Sequence, residues 1–485
     1  MTVITPDWVK DAIFYQIFPD RFAISPRLRE QKPHHLEAWD APPTTYGFKG
    51  GDLLGVVEQL DYLVELGINA IYFCPVFQST ANHRYHTHDY FQIDPILGGN
   101  NAFKTLLDAA HARGIRIILD GVFNHASRGF YQFNHTLENG KDSPYLDWFT
   151  FTKFPLHAYD DGHAGYAAWW NLKALPKFNT RNPQVREYIM RVGEYWIEQG
   201  IDGWRLDVPG EIDDDSFWRE FRTRVKAKNP EAYLVGEVWQ RADRWLQGDQ
   251  FDAVMNYQFT RAALSYCIGA KHAAHNLLHE SYGTIINADA SMFAEMLEQI
   301  QSWYPSEITY AQMNLLDSHD TARFLSIAKG GTRALKLAWL AMMTYPGAPT
   351  IYYGDEIGME GGKDPDCRRG MIWDRAQWNY DLLDTLKRYI TLRKKVCALR
   401  RPGAYTRLYT HDMLYIFARQ WQSETIIVAL NAGDAPTKID LFVGDILPEG
   451  TRLHQEWHDA ARTVQQGTLH SVEIPARDGI VYLTK

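Results

Sequence analysis

Short apolar runs alternate with amphipathic stretches along most of this chain. DAIFYQIF (11–18) reads as a strand. LLGVVEQLDYLVEL (53–66) places its apolar residues at helical spacing and stops at Gly67. INAIYFCPV (68–76) reads as a strand, NAFKTLLDAAHARG (101–114) as a helix closed by glycine, and IRIILDGVF (115–123) as the next strand. The rhythm recurs in YIMRVGEYWIEQG then IDGWRLDV, and in SFWREFRTRVKAKNP then AYLVGEV. Further strand-like runs follow at FDAVMNYQF (251–259), TYAQMNLLDS (309–318) and APTIYYGDE (348–356). Alternation of this kind predicts a parallel sheet covered by helices, and strands buried on both faces account for the near-continuous apolar runs. Eight such strands, at about 30 residues per strand–helix unit, predict a closed (β/α)8 TIM barrel rather than an open sheet.

Two regions break the rhythm. Residues 125–178, rich in Gly, Asn, His, Trp and Pro, lie between a strand and its helix and are too long for a connecting loop. They predict an inserted domain after the third strand. Beyond about residue 402 the helical pattern gives way to RLYTHDMLYIFARQ and ETIIVALNA, alternating runs separated by turns, which predict an antiparallel β-sandwich. The expected organisation is therefore barrel (1–124), insert (125–178), barrel (179–402) and C-terminal β domain (403–485).

Composition narrows the function. A net charge of −9 argues against a nucleic-acid or anionic-membrane surface. No apolar run is long enough to span a bilayer, and MTVITPDWVKDAIFYQ has no secretory pattern, so a cytoplasmic protein is expected. Cys74, Cys267, Cys367 and Cys397 form no C-x-x-C pair and read as reduced thiols. The 16 Trp and 27 Tyr supply flat apolar plates that can stack on sugar rings, although most such residues simply fill a core.

Barrel enzymes carry their chemistry at the C-terminal ends of strands. IRIIL ends in Asp120, GWRL in Asp207 with Arg205 two residues earlier, AYLVG in Glu237, and the MNLLDS run in His319 and Asp320. A single strand-end Asp is often no more than a helix N-cap. Four carboxylates at one barrel mouth repel one another and ask for a chemical reason. Glycoside cleavage with retention is such a reason, since it needs a carboxylate nucleophile and a carboxylic acid about 5–5.5 Å apart. Neighbouring strands lie about 4.8 Å apart, so Asp207 and Glu237 on consecutive strands suit that separation. Arg205 is expected to keep Asp207 ionised and oriented. Burial and neighbouring carboxylates are expected to raise the pKa of Glu237, the acid. His83, His86 and His88 in HRYHTHDY offer a rival reading as a metal site, but that needs further ligands from other strands, and hydrogen bonding to sugar hydroxyls is the simpler account.

DGVFNH (120–125), GWRLDV (203–208), GEVW (236–239) and LLDSHD (315–320) resemble, in order and spacing, the four conserved regions of the α-amylase superfamily. The resemblance implies Asp207 as nucleophile, Glu237 as acid/base and Asp320 as the third carboxylate, binding sugar hydroxyls. It further implies that Arg205, His125 and His319 complete the subsite for the sugar on the non-reducing side of the cleaved bond. Tyr85 would stack on that sugar beside His83, and Asp120 would support the arginine. LPKFN (175–179), residues 48–77 and GGKDPDCRR (361–369) are similar to the cyclomaltodextrinase, neopullulanase and maltogenic amylase subgroup. There Asp364 and Arg368 would line the next subsite out and Glu211 would lie near the acceptor sugar. VPGE (208–211) stands where the subgroup commonly has V-A-N-E, and RRGMIWD (368–374) lacks prolines often found there. Subgroup members carry an N-terminal β domain that builds a dimer; this chain opens at the first barrel strand, so a monomer, or a dimer built otherwise, is expected. No cofactor is expected. Asn124 matches a calcium ligand of many α-amylases, or else only hydrogen-bonds its loop.

The activity expected from these features is retaining hydrolysis of α-1,4-glucosidic bonds in cyclodextrins, maltooligosaccharides, pullulan or starch, with transglycosylation where a sugar replaces water. An α-glucanotransferase keeps the same residues and intermediate. A non-catalytic glucan-binding member of the fold is the third reading, and the complete set Asp207, Glu237 and Asp320 argues against it.

Overall fold

The computed structural model describes residues 3–484. Eight parallel strands form its centre: β1 (Phe14–Ile17), β2 (Ala70–Phe73), β3 (Arg116–Gly121), β4 (Gly203–Leu206), β5 (Tyr233–Gly236), β6 (Ala253–Val254), β7 (Met313–Asn314) and β8 (Ala348–Tyr352). They run in the order β6-β5-β4-β3-β2-β1-β8-β7, and a parallel bridge between Met255 and Met313 completes the ring. Every residue of β1, β2, β4, β5 and β8 is buried, as the unbroken apolar runs predict for strands covered on both faces.

The helices begin and end on recognisable signals. In Pro183–Gln199 the Asn182 side chain accepts from the Gln184 N–H, proline occupies the first turn, and Gly200 ends the helix at φ 110°. Two of the longer strand-like runs are shorter strands than their apolar pattern suggests. In FDAVMNYQF only Ala253–Val254 is strand; Asn256 accepts from the Phe259 N–H and starts a helix over Tyr257–Ala263. In TYAQMNLLDS the first half belongs to the helix Ser306–Ala311, and only Met313–Asn314 is strand. Apolar runs of this length fit a buried helix turn as well as a strand, and here capping decides.

Between β3 and the helix at 183 the chain leaves the barrel. It forms a helix over Tyr131–Asn139 and antiparallel bridges joining His125 to Lys177, Phe149 to Phe178 and Ala168 to Pro176. Phe130, Phe133, Phe149, Tyr166 and Phe178 pack as an aromatic cluster, with Phe133 and Tyr166 rings 4.8 Å apart, and Tyr90 joins it to the barrel core.

From Ala404 onward the chain is antiparallel. Six strands form one sheet, and Thr437–Phe442 pairs with Thr468–Ile474 in a second. The strand Leu414–Trp421 shows why its sequence is apolar at successive positions. Leu414, Ile416 and Ala418 face the sandwich core, while Tyr415 and Phe417 pack into the main core with the barrel. Among the described residues no helix is long and apolar enough to cross a membrane, and the four cysteines are free thiols.

Candidate active site

The register of β3, β4 and β5 sets three carboxylates side by side. Asp120 pairs with Arg205 across β3 and β4, and Leu206 pairs with Gly236 across β4 and β5, so Asp207 and Glu237 follow as neighbours. All three surround the Arg205 guanidinium, which is fully buried. Its Nη1 donates to Asp120 at 2.8 and 3.0 Å and to Asp207 Oδ1 at 3.0 Å. Its Nη2 forms an ion pair with Glu237 Oε2 at 2.9 Å without an aligned hydrogen bond. Asp120 also accepts from the hydroxyls of Tyr72 and Tyr85, each at 2.8 Å.

Glu237 has two further donors. The Val208 backbone N–H reaches Oε2 at 3.1 Å, and the Trp239 indole N–H reaches Oε1 at 3.0 Å. Val208 sits at φ 35°, ψ 52°, left-handed geometry that a β-branched residue avoids. Nothing in the sequence signals that conformation. Trp239 is held flat between Tyr257, at 3.6 Å and 3°, and His279, at 4.5 Å and 20°.

Asp320 comes from the loop beyond β7, six residues past the strand's end rather than at it. It is partly exposed, 3.2 Å from His319 Nε2 and 3.3 Å from Arg368 Nη2. Arg368 continues to Asp364 at 2.9 Å and donates through Nε to the His319 carbonyl at 2.8 Å. His319 is buried and its ring stacks on Tyr85 at 5.5 Å and 6°, with Nε2 against the Tyr85 hydroxyl. The Gln16 amide, 2.7 Å from Nδ1, donates there, which leaves the ring proton on Nε2, toward Tyr85 and Asp320. Burial drives the His319 pKa well down, so the ring is neutral. His125 is also buried, its pKa pushed down to about 3, first by burial. Asn124 lies 3.2 Å from its Nδ1, and its Nε2 has no aligned hydrogen-bond partner.

Burial is the first cause of an upward shift for Asp207, Glu237 and Asp120 alike; the Arg205 charge opposes it in each case. Glu237 and Asp120 push Asp207 further up, and Asp320 pushes up Glu237. The Glu237 direction matches the expectation for an acid. Asp207 differs from it: Arg205 orients this carboxylate, but burial outweighs the guanidinium charge and its pKa lies well above the ordinary range. Three carboxyls around one cation titrate as a group, and that group retains a proton beyond the ordinary carboxylate range.

The remaining predicted residues lie at the rim of this cluster or beyond it. His83 is half-buried against Tyr85 and His86, with its pKa lowered well below normal by burial. Glu211 is exposed and pairs with Lys177 of the insert at 2.7 Å. The Asn124 carbonyl accepts from the Phe178 N–H, and its amide faces His125. Calcium takes six to eight oxygen ligands, and among the described residues no group of three or more His, Cys, Asp or Glu is placed to hold a metal ion. The Asn124 backbone carbonyl and side-chain amide are both engaged in hydrogen bonds within the loop. Three contributors went unread in the sequence: Trp239, Gln16 and Tyr72. The signal for Gln16 was a lone amide inside an apolar central strand.

Residues 16–399 match the alpha-amylase catalytic-domain family. The chain belongs to that family. It is an α-amylase family glycoside hydrolase, and residues 405–478 match the neopullulanase-like C-terminal domain. A cyclomaltodextrinase from a Bacillus species is 46% identical over 430 residues, 88% of this chain and 73% of that protein. The crystal structure of a Thermus thermophilus protein superposes with a TM-score of 0.94 at 49% identity, covering 99% of this chain and all of that one. A debranching enzyme of Nostoc punctiforme gives a TM-score of 0.91 at 48% identity, with each chain fully covered.

Proposed function

We propose that this hydrolase cleaves α-1,4-glucosidic bonds of cyclodextrins, maltooligosaccharides, pullulan or starch with retention of configuration. The observation that carries this reading is the in-register placement of Asp207 and Glu237 around Arg205. Asp207 attacks the anomeric carbon and forms an ester bond to it. The glycosidic C–O bond breaks as Glu237 gives its proton to the leaving oxygen. Water then attacks the same carbon, its proton returns to Glu237, and the ester bond breaks to free Asp207. A sugar hydroxyl in place of that water gives transfer. No step passes through a metal ion.

Asp320 binds hydroxyls of the distorting sugar, and Arg205, Tyr85, His125 and His319 hold that sugar, with His83 beside them. Asp364 and Arg368, already joined to Asp320, extend the site by one sugar; Glu211 faces the acceptor side. The neutral state of His125 and His319 suits hydrogen bonding to hydroxyls rather than charge. Four unpaired thiols fit a reducing cytoplasm, where we place the activity. Relatives named for cyclodextrin and pullulan cleavage support the substrate class.

The test is initial rates on β-cyclodextrin, pullulan and soluble starch, for the parent and for Glu237→Gln. The variant should lose about 10²–10⁴ in rate and still bind sugar. Near-normal turnover would remove Glu237 from its role. Cyclodextrin cleaved far faster than starch identifies an enclosed site; starch cleaved as fast identifies an open cleft.

A further inference from the structure

A second group of buried ionisable side chains lies between the loops beyond β7 and β8, and the cleavage reaction does not use it. Asp317, Arg323 and Asp355 are all shielded from water. Arg323 Nη1 donates to Asp355 Oδ1 at 2.7 Å and to the Tyr353 carbonyl at 2.8 Å. Its guanidinium carbon lies 4.4 Å from the Tyr352 ring centre and 5.0 Å from that of Tyr353. Asp317 Oδ2 accepts from the Phe324 N–H at 2.6 Å, and the Asp317 and Asp355 carboxyls are hydrogen-bonded to each other. Ionised carboxylates only accept, so that bond requires one of the two to carry a proton. Burial drives Asp355 well above the ordinary carboxylate range, and the Asp317 charge pushes it further. The cluster thus sets one carboxylate against one guanidinium and is neutral, as burial demands.

Residues 317–323 form neither helix nor strand, so side-chain and loop contacts fix their path. The cluster fastens both feet of this arch. Asp317 is bonded to Phe324, and Arg323 is bonded to the chain just beyond β8. The Arg323 N–H also donates to the Gly361 carbonyl at 3.0 Å, and the Gly361 N–H to Ser326 Oγ at 2.8 Å. At the crown of the arch stand His319 and Asp320. Their partner Arg368, which donates to the His319 carbonyl, belongs to the same loop beyond β8. We propose that Arg323, acting with Asp317 and Asp355 as one neutral unit, is a positioning residue that sets Asp320 at the barrel mouth. This rests on the reading of Asp320 given above. Arg323 acts through the arch that carries Asp320, not on the sugar.

The test is kcat and KM for maltoheptaose hydrolysis by the full chain, with thermal unfolding to show that each variant is folded. Arg323→Ala would leave the buried carboxyls without their cation, so Arg323→Lys is used. It keeps the charge but gives up the planar group that lies over Tyr352 and bonds both Asp355 and the Tyr353 carbonyl. It should lower kcat about tenfold to a hundredfold and change KM less than about threefold. Introduced into Asp320→Asn it should have little further effect, because the carboxylate it positions is gone. Asp355→Asn reproduces the protonated acid, its amide donating to Asp317 and its oxygen accepting from Arg323, and should stay within about twofold of the parent kcat. Arg323→Lys with parental kcat overturns the proposal, as does an equal loss with and without Asp320→Asn. Asp355→Asn that is unfolded, or as defective as Arg323→Lys, also overturns it. Asp320→Asn with parental turnover would instead refute the reading of Asp320 itself.

Discussion

Replacing Arg205 with glutamine removes the only cation that, among the described residues, contacts Asp120, Asp207 and Glu237. Removing one partner of a buried ion pair costs about 3–5 kcal/mol, because the partner charges remain without compensation. Unfolding entropy of about 2.1 cal/mol/K per residue gives about 1 kcal/mol/K for 485 residues. The melting midpoint should therefore fall by about 3–5 °C at neutral pH. The sign of its pH dependence follows from linkage. Without Arg205 the three carboxyls have folded-state pKa values moved still further above their unfolded values. A carboxyl raised on folding binds protons in the folded state, so its contribution is intact below the unfolded pKa. It is lost as pH rises through the folded pKa. The deficit against the parent should thus be small near pH 4 and full near pH 8. Thermal unfolding of both proteins across that range is the assay. A deficit that stays constant, or that grows toward acid, would refute the idea that Arg205 compensates buried carboxylates.

Two further outcomes follow from the groups that donate to Glu237. Val208→Gly removes a strained left-handed β-branched residue, a relief of about 1–2 kcal/mol, against about 0.5–1 kcal/mol for added backbone freedom. Its stability should stay within about 1 kcal/mol of the parent by thermal unfolding, and a loss of more than about 2 kcal/mol would contradict the strain. Trp239→Phe keeps the stacked ring but deletes the N–H that lowers the Glu237 pKa. Glu237 should then hold its proton to higher pH, and the alkaline limb of the kcat/KM profile should move upward; a limb that stays or moves down counts against the contact.

Much of the barrel was legible because its strands are short apolar runs bounded by Gly, Asn and Pro, and because burial on both faces removes polar interruptions. Where an interruption does occur, as at Gln16 in FYQIF or Tyr72 in AIYF, the polar atom serves the site. The strands β6 and β7 were read too long, since MNYQF and TYAQ are as apolar as a strand yet cap into or complete helices. Strand-end position revealed Asp120, Asp207 and Glu237, and register on adjacent strands brought them together. Asp320 lay further from its strand than the pattern implied. The upward shift of Asp207 was not legible, because it depends on how far burial outweighs one nearby guanidinium. The twist at Val208 and the stacking of Trp239 between Tyr257 and His279 were hidden for a related reason. Backbone strain and ring stacking come from tertiary packing and leave no periodic trace.

Cleavage runs by double displacement through Asp207 with Glu237 as the acid in the mechanism proposed above. Its most direct test is the anomeric configuration of the first product, followed by proton NMR in the first minutes of maltooligosaccharide cleavage before mutarotation. The new reducing end should appear as the α-anomer and only later equilibrate. A β-anomer at the earliest times would mean a single inverting displacement, and Asp207 would not be the nucleophile.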